Sequence, residues 1–260
     1  MFTTHTYSDG VVCERSGLIS ARHAFSTRYG GVSTLPHLAS MNLGEHRGDD
    51  PRNIAKNFDR LLAHMGRCFA DTVRAGQIHS TNIRYVTEDD RGRYFADTDG
   101  FITDRAGVVL VSKVADCAPI LLFDGERGVI AAVHAGWRGA ASGIAAVAVS
   151  KMCKMGCRAD NIKVAIGSCI HNCCFEVKDD FVAALTDLCG GELADLVVSE
   201  REGRLFADNV RLNVEMLRSV GVSRENIDIS PSCTKCHPER YFSHRASGGL
   251  RGTMAAVITL

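Results

Sequence analysis

The stretch ADCAPILLFDGERGVIAAVHAGWRG, Ala115 to Gly139, decides the fold. Two apolar runs, Ile120 to Phe123 and Val129 to His134, flank Asp124-Gly125-Glu126-Arg127. Apolar runs of strand length on either side of turn-forming residues predict a β-hairpin. A loop centred between Gly125 and Glu126 pairs Phe123 with Gly128 and Ile120 with Ala131, and sets Cys117 opposite His134. Directly opposed residues share a face, with Cβ atoms roughly 4.5–5.5 Å apart. A thiol and an imidazole so placed are two metal ligands or a nucleophile with its base. The plain alternative is a buried cysteine beside a hydrogen-bonded histidine.

Beyond His134, Ala135-Gly136-Trp137-Arg138-Gly139 leads into AASGIAAVAVSKMCKMG, an alanine-rich run that predicts a buried helix. Small residues let backbone approach a ligand, and a helix start offers free N–H groups to an anion. Arg138 adds a planar cation suited to phosphate or carboxylate, or is a surface arginine beside a core tryptophan. Upstream, strand-like runs cover Thr72 to Gln77, Ile83 to Thr87 and Val108 to Val114, with Asp99-Gly100 as a turn. His79 falls at the end of the first run, on the same face as Gln77. Asp116, next to Cys117, is expected to face away from the site, because adjacent strand residues point oppositely.

Farther out, Ile19 to Gly48 carries turn signals that predict loops between short strands. Asp50-Pro51 starts a helix along which Ile54, Phe58, Leu61, Leu62 and Met65 recur, ending at Gly66. Val164 to Gly167 reads as a strand, and Phe181 to Leu188 and Asn209 to Val220 as helices. Strands close the chain around Ile227 to Ile229 and Ala255 to Leu260. Hairpins together with crossovers predict an α+β fold with mixed sheets rather than a purely parallel α/β sheet. No linker or repeat divides the chain, so residues 1–260 are expected to form one domain.

With 45% hydrophobic and 23% charged residues the chain has the balance of a folded protein, not a disordered one. The formal net charge of zero removes the long-range field that a phosphate-backbone binder needs, so nucleic acid is not expected as a partner. The opening MFTTHTYSDG lacks a basic segment followed by an apolar one, and no window approaches about eighteen uninterrupted apolar residues. A cytoplasmic protein without membrane attachment is expected, its oligomeric state left open. Eleven cysteines, an odd number in a chain of this length, read as reduced thiols rather than disulfides. Most are expected to be buried, Cys153 and Cys157 in the alanine-rich helix among them. The pair Cys233 and Cys236, at Cys-x-x-Cys spacing, could form a second metal or redox pair.

Ordered matches run along nearly the whole chain: FSTRYGGVS (Phe25 to Ser33), MNLG (Met41 to Gly44), GDDP (Gly48 to Pro51), QIH (Gln77 to His79), ADCAPILLFD (Ala115 to Asp124), VHAGWRG (Val133 to Gly139), CCFEV (Cys173 to Val177) and CT (Cys233 to Thr234). In these the chain resembles the laccase-domain proteins, also called polyphenol oxidoreductases and described as zinc-dependent purine nucleoside phosphorylases and adenosine deaminases. The resemblance implies a four-layer α/β/β/α fold with the site between the sheets. It also implies that His79, Cys117 and His134 are both the metal ligands and the catalytic residues. Two departures stand out. Gly167-Ser168-Cys169-Ile170 replaces the usual Gly-Pro-x-Ile, and Arg245-Ala246 replaces a terminal arginine pair.

Three ligands of N, S and N type leave a fourth tetrahedral position open, as in catalytic zinc sites. Water held there is acidified toward neutrality, which suits deamination at C6 of adenosine. Phosphorolysis of a nucleoside, methylthioadenosine included, needs phosphate placed at the anomeric carbon. Arg138 and the helix start are the phosphate candidates, and Arg28 and Asn42 the candidate substrate contacts. The usual zinc nucleobase-deaminase pattern is absent, because His79-Ser80-Thr81 lacks its glutamate. Copper, in a laccase-like polyphenol oxidase, is the rival metal, but none of the ten histidines forms an H-x-H pair. A second rival is a metal-free cysteine hydrolase, with Cys117 and His134 acting on an amide of cell-wall precursors. The third is a zinc-stabilised binding module, against which the open fourth position argues.

Overall fold

A computed structural model describes all 260 residues. The chain begins with β1 (Phe2–Thr6), β2 (Val12–Ser16), β3 (Arg22–Ser26) and α1 (Pro51–Ala63). It continues through β4 (Thr72–Ala75), β5 (Ile83–Tyr85), β6 (Tyr94–Phe95), β7 (Gly100–Thr103), β8 (Val109–Val114), β9 (Ala118–Asp124) and β10 (Val129–Ala135). Then come α2 (Trp137–Ala141), α3 (Ile144–Lys154), β11 (Lys163–Ile166), β12 (Glu176–Val177), α4 (Asp179–Cys189), α5 (Gly191–Val197), β13 (Val198–Arg201) and β14 (Arg204–Ala207). The last elements are α6 (Asn209–Ser219), β15 (Ile227–Ile229), α7 (His244–Ser247) and β16 (Met254–Thr259).

One sheet has the order β1-β2-β3-β16-β8-β4-β6, and a second the order β15-β11-β9-β10-β7-β5. Both are mixed: β4 runs parallel to β8, and β11 parallel to β15, within otherwise largely antiparallel ladders. A small third sheet joins β12, β14 and β13. Alternation along the strands separates the layers. Ile130, Ala132, Leu121 and Phe101 pack against Phe25, Leu110, Ala256 and Ile258 in a core between the two large sheets. Ala131, Val133, Ile120 and Leu122 turn the other way, onto Ile144, Ala148 and Met152 of α3 and Leu212 and Leu217 of α6. On the opposite side, Ile54, Phe58, Leu61 and Leu62 of α1 cover Val109, Val111, Ala255 and Val257. The layers are thus helix, sheet, sheet, helix, as expected of an α+β fold with mixed sheets.

The α1 start is the expected one: the Asp50 side chain accepts from Arg52 N, and Pro51 occupies the first turn, where no N–H is missed. The alanine-rich run is not one helix. Gly143 at φ 81° separates α2 from α3, since a left-handed residue cannot continue a right-handed helix. Cys157 is buried as expected, but Cys153 is exposed, on the outer side of α3. No helix is long and apolar enough to cross a membrane.

The hairpin forms with a different register. Asp124 pairs with Val129, and His134 faces Pro119 rather than Cys117. The reason lies in the turn. Asp124 Oδ1 accepts from the N–H groups of Glu126 and Arg127, at 2.9 and 3.1 Å, and Gly128 takes φ 61°. All four residues Gly125 to Gly128 therefore leave the ladder, which moves every partner by two positions. A shift of two preserves the face, whereas a shift of one would have reversed it. Cys117 stays on the side of Pro119 and Leu121, as His134 does with Ile130 and Ala132.

Candidate metal centre

That shared face looks into the space between the sheets, where the ligand atoms of His79, Cys117 and His134 lie within 4.8 Å of one another. His134 comes from β10, and Cys117 from the residue just before β9. Cys117 Sγ is 3.7 Å from His79 Nε2, and the two imidazole rings meet edge-on with centroids 4.8 Å apart. His79 arrives differently from the expectation. Strand β4 ends at Ala75, and His79 sits in the following loop at φ 62°, so strand alternation does not aim its ring. Gln77 anchors that loop by pairing its amide with both backbone groups of Lys113, at 2.7 and 2.8 Å.

The residue that holds the loop is Asp99, buried at 2% exposure and read from the sequence only as part of a turn. Its carboxylate accepts from the N–H groups of Ile78, His79 and Ser80 at 3.2, 3.0 and 2.8 Å, and from Ser80 Oγ at 2.7 Å. Successive N–H groups converging on one anion make a nest, which stabilises the positive φ of His79. Asp99 Oδ1 also accepts from His134 Nδ1 at 2.9 Å. That bond leaves His134 Nε2 as the nitrogen free to ligate. One carboxylate therefore orients two of the three donors, as outer partners of metal-bound histidines do.

Charge follows this wiring. Burial disfavours ionisation of Asp99, but the bonds from His134 and Ser80 outweigh it and hold the carboxyl at about 2. Burial also works against charging Cys117, yet the His134 and His79 rings bring the thiol down to about 6. His134 is opposed by burial and supported by the Cys117 sulfur and Asp99, which raise it to about 9. A thiolate beside two imidazoles is a donor set of the kind zinc takes, and three such ligands leave one position open.

Two glycines make room for the loop. A Cβ on Gly136 would lie 2.0 Å from His79 Cδ2, and one on Gly139 would lie 2.9 Å from the Ser80 carbonyl oxygen. This is the steric content of the segment after His134. The anion site expected at its helix start is not supported, because α2 is only five residues long. Arg138 is exposed, with its guanidinium 4.2 Å over the Trp137 ring.

Arg28 donates to the carbonyls of Ala39 and Pro238 and lies over Phe242. Asn42 is fully buried, and its side chain is engaged by Asp49, Gly44 and Thr253 N, so it ties loops together. Arg251 is a further, half-buried cation near the site. Burial and the nearby Arg47 lower it to about 10, while Asp116 and Cys117 pull the other way. Its Nε has no hydrogen-bond partner, and neither Arg251 nor Arg47 has a carboxylate in an ion pair. No motif marked it, since an arginine in an RGT segment has no distinguishing spacing.

Asp116 is oriented by a turn and not by strand alternation. At φ 88° it accepts from Thr234 Oγ1 at 2.6 Å and from Arg245 N at 2.7 Å. Ser168, in place of the usual proline, bonds Glu14 and Ser230, each at 2.8 Å, inside a buried network. Ala246 lines a cleft with Arg28, His37 and Arg251, where a second arginine would have added charge.

Comparison with known proteins agrees with this architecture. Residues 22–260 match the family described as multi-copper polyphenol oxidoreductase laccase. A purine nucleoside phosphorylase of Deinococcus radiodurans is 36% identical over 251 residues, covering 96% of this chain and 94% of its own. The adenosine deaminase RL5, from an unknown prokaryotic organism, is 33% identical over 233 residues, 86% of this chain and 88% of its own. The crystal structure of YfiH from Bacillus licheniformis superposes with a TM-score of 0.90 at 28% identity, covering 99% of this chain and 98% of that one.

Proposed function

The chain belongs to the multi-copper polyphenol oxidoreductase laccase family, and we propose that it is a purine nucleoside phosphorylase that also deaminates adenosine, with zinc on His79, Cys117 and His134. The observation that carries this reading is the convergence of one thiol and two imidazoles within 4.8 Å of one another, two of the three held by one buried carboxylate. Relatives named purine nucleoside phosphorylase and adenosine deaminase supply the substrate class. Methylthioadenosine is included as a further nucleoside of that class. The expected compartment is the cytoplasm.

Bound zinc would supply a Lewis acid that polarises oxygen and brings water toward neutral acidity. Asp99 keeps the donors in place: its bond to His134 Nδ1 fixes the ring, and its nest fixes the His79 loop. In deamination a water oxygen adds to C6, the C6–N bond breaks, and ammonia leaves as inosine forms. In phosphorolysis a phosphate oxygen bonds to the anomeric carbon as the bond to the purine nitrogen breaks, and the purine leaves with a proton. Arg251, with Arg47 near it, is the favoured phosphate contact because it is a half-buried arginine that lines a cleft with Arg28 and has no carboxylate in an ion pair. Arg138 is retained as a second cation at the surface.

Zinc is favoured over copper by the single three-donor cluster, which offers no second histidine-rich group for a multicopper centre. One feature favours a rival. Cys117, His134 and Asp99 stand in the order of a nucleophile, base and orienting carboxylate, which would suit a metal-free hydrolase of amides. Incubation with adenosine, inosine and methylthioadenosine, with and without phosphate, tests the proposal. Free base and ribose phosphate that appear only with phosphate are expected, with inosine from adenosine in either case. Failure to convert any of the three, by zinc-loaded protein, would refute it.

A further inference from the structure

We propose that Cys173, Cys174, Cys233 and Cys236 form a second metal site, a tetrathiolate zinc centre that anchors the floor beneath Cys117. Their sulfurs all lie within 4.8 Å of one another, and Cys236 Sγ is 3.6 Å from Cys173 Sγ and 3.4 Å from Cys174 Sγ. A tetrahedron with metal–sulfur bonds of about 2.3 Å has sulfur–sulfur edges of about 3.8 Å. The observed spacing is that of ligands around one ion. It is far longer than the roughly 2.05 Å of a disulfide, whose formation would also need an oxidant.

The four thiols come from two turns some sixty residues apart. Cys173 and Cys174 lie in the turn after β11, where the N–H groups of Cys174 and Phe175 bond the His171 carbonyl. Cys233 and Cys236 lie in the turn after β15. The parallel pairing of β11 with β15 delivers both turns to one end of the sheet, and a bridge between Cys169 and Cys233 extends it. The His171 N–H points at Cys233 Sγ at 3.4 Å, a contact that supports a sulfur carrying negative charge. An all-sulfur, closed set selects zinc of the structural kind and not magnesium or calcium. Each thiol gives up its proton to solvent on binding.

The site has a consequence for its neighbour. Thr234, inside the Cys233–Cys236 turn, donates to Asp116 Oδ1, and Asp116 precedes Cys117 in the chain. Ile170 N bonds the Asp116 carbonyl at 2.9 Å from the other turn. Both thiol-bearing segments therefore grip the residue that sets Cys117, and a metal joining them would stiffen that grip.

Elemental analysis and native mass spectrometry of protein purified without added metal test this. Two zinc ions per chain are expected, falling to one in Cys236→Ser and to one in His79→Ala. The ion left in His79→Ala should show four sulfurs at about 2.3 Å by X-ray absorption. That spectrum needs no cysteine variant, so a Cys236→Ser chain that fails to fold does not remove the test. Retention of the His79→Ala ion by mixed nitrogen and sulfur ligands would overturn the proposal. So would iron at the four sulfurs, or a mass two hydrogens low with no second ion. One zinc per chain, lost in Cys236→Ser and kept in His79→Ala, would support this site while removing zinc from the other.

Discussion

Asp99 Oδ1 accepts from His134 Nδ1 at 2.9 Å while the same carboxylate holds the His79 loop, so two ligands on different elements share one buried anchor. Asp99→Asn keeps the shape but presents an amide in place of an anion, and it weakens both attachments. Outer partners of metal-bound histidines are typically worth 10–100-fold in affinity, so the zinc dissociation constant should rise by about that factor. Competition with a chromogenic chelator measures it. An unchanged constant would remove Asp99 from its positioning role.

The same residue predicts an acid limit. Its folded value of about 2 lies below the ordinary 3.8, so the folded state is the one that prefers the ionised form. The stabilisation is full above the unfolded value and is lost as pH falls from about 4 to about 2, amounting to roughly 2–3 kcal/mol. Urea unfolding of the metal-free protein at pH 6 and pH 3 should show about half of that loss, roughly 1 kcal/mol, and Asp99→Asn should show a flatter dependence. Parallel curves for the two proteins would contradict it.

Gly136 carries a steric prediction. A methyl group there would lie 2.0 Å from the His79 ring, so Gly136→Ala must displace that ligand. A displacement of about 1 Å can cost 100-fold in rate, and kcat/KM for adenosine should fall by at least that much with the circular dichroism intact. Gly191→Ala, where nothing lies within 4 Å, is the control and should be neutral.

In metal-stripped protein the Cys117 thiol should react with iodoacetamide along a titration centred near pH 6, because the neighbouring imidazoles lower it. Zinc should block the reaction at every pH tested. Equal reactivity with and without zinc would instead favour the Cys117–His134 hydrolase reading.

Arg251→Gln separates the two purine reactions. Losing one charge-assisted contact should raise the KM for phosphate roughly tenfold, about 1.4 kcal/mol, and leave adenosine deamination within about twofold. Equal losses in both reactions would assign Arg251 to the fold instead of to phosphate.

What the sequence by itself determined about this protein is whatever depends on local period and turn chemistry. It revealed the hairpin around Asp124 to Arg127, the α1 helix behind Asp50-Pro51, the mixture of helix and strand, and the common face of Cys117 and His134. That last reading survived a wrong register because a slip of two residues leaves strand parity unchanged. Only the tertiary structure decided the rest. His79 reaches the pair through a loop at positive φ that Asp99 holds across about twenty residues of chain, and no periodicity encodes such a contact. Cys233 and Cys236 were visible as a pair, but their partners Cys173 and Cys174 join them only because β11 and β15 lie side by side. Face and turn are settled by neighbours along the chain, whereas the convergence of charges and sulfurs is settled by packing between segments that the sequence keeps far apart.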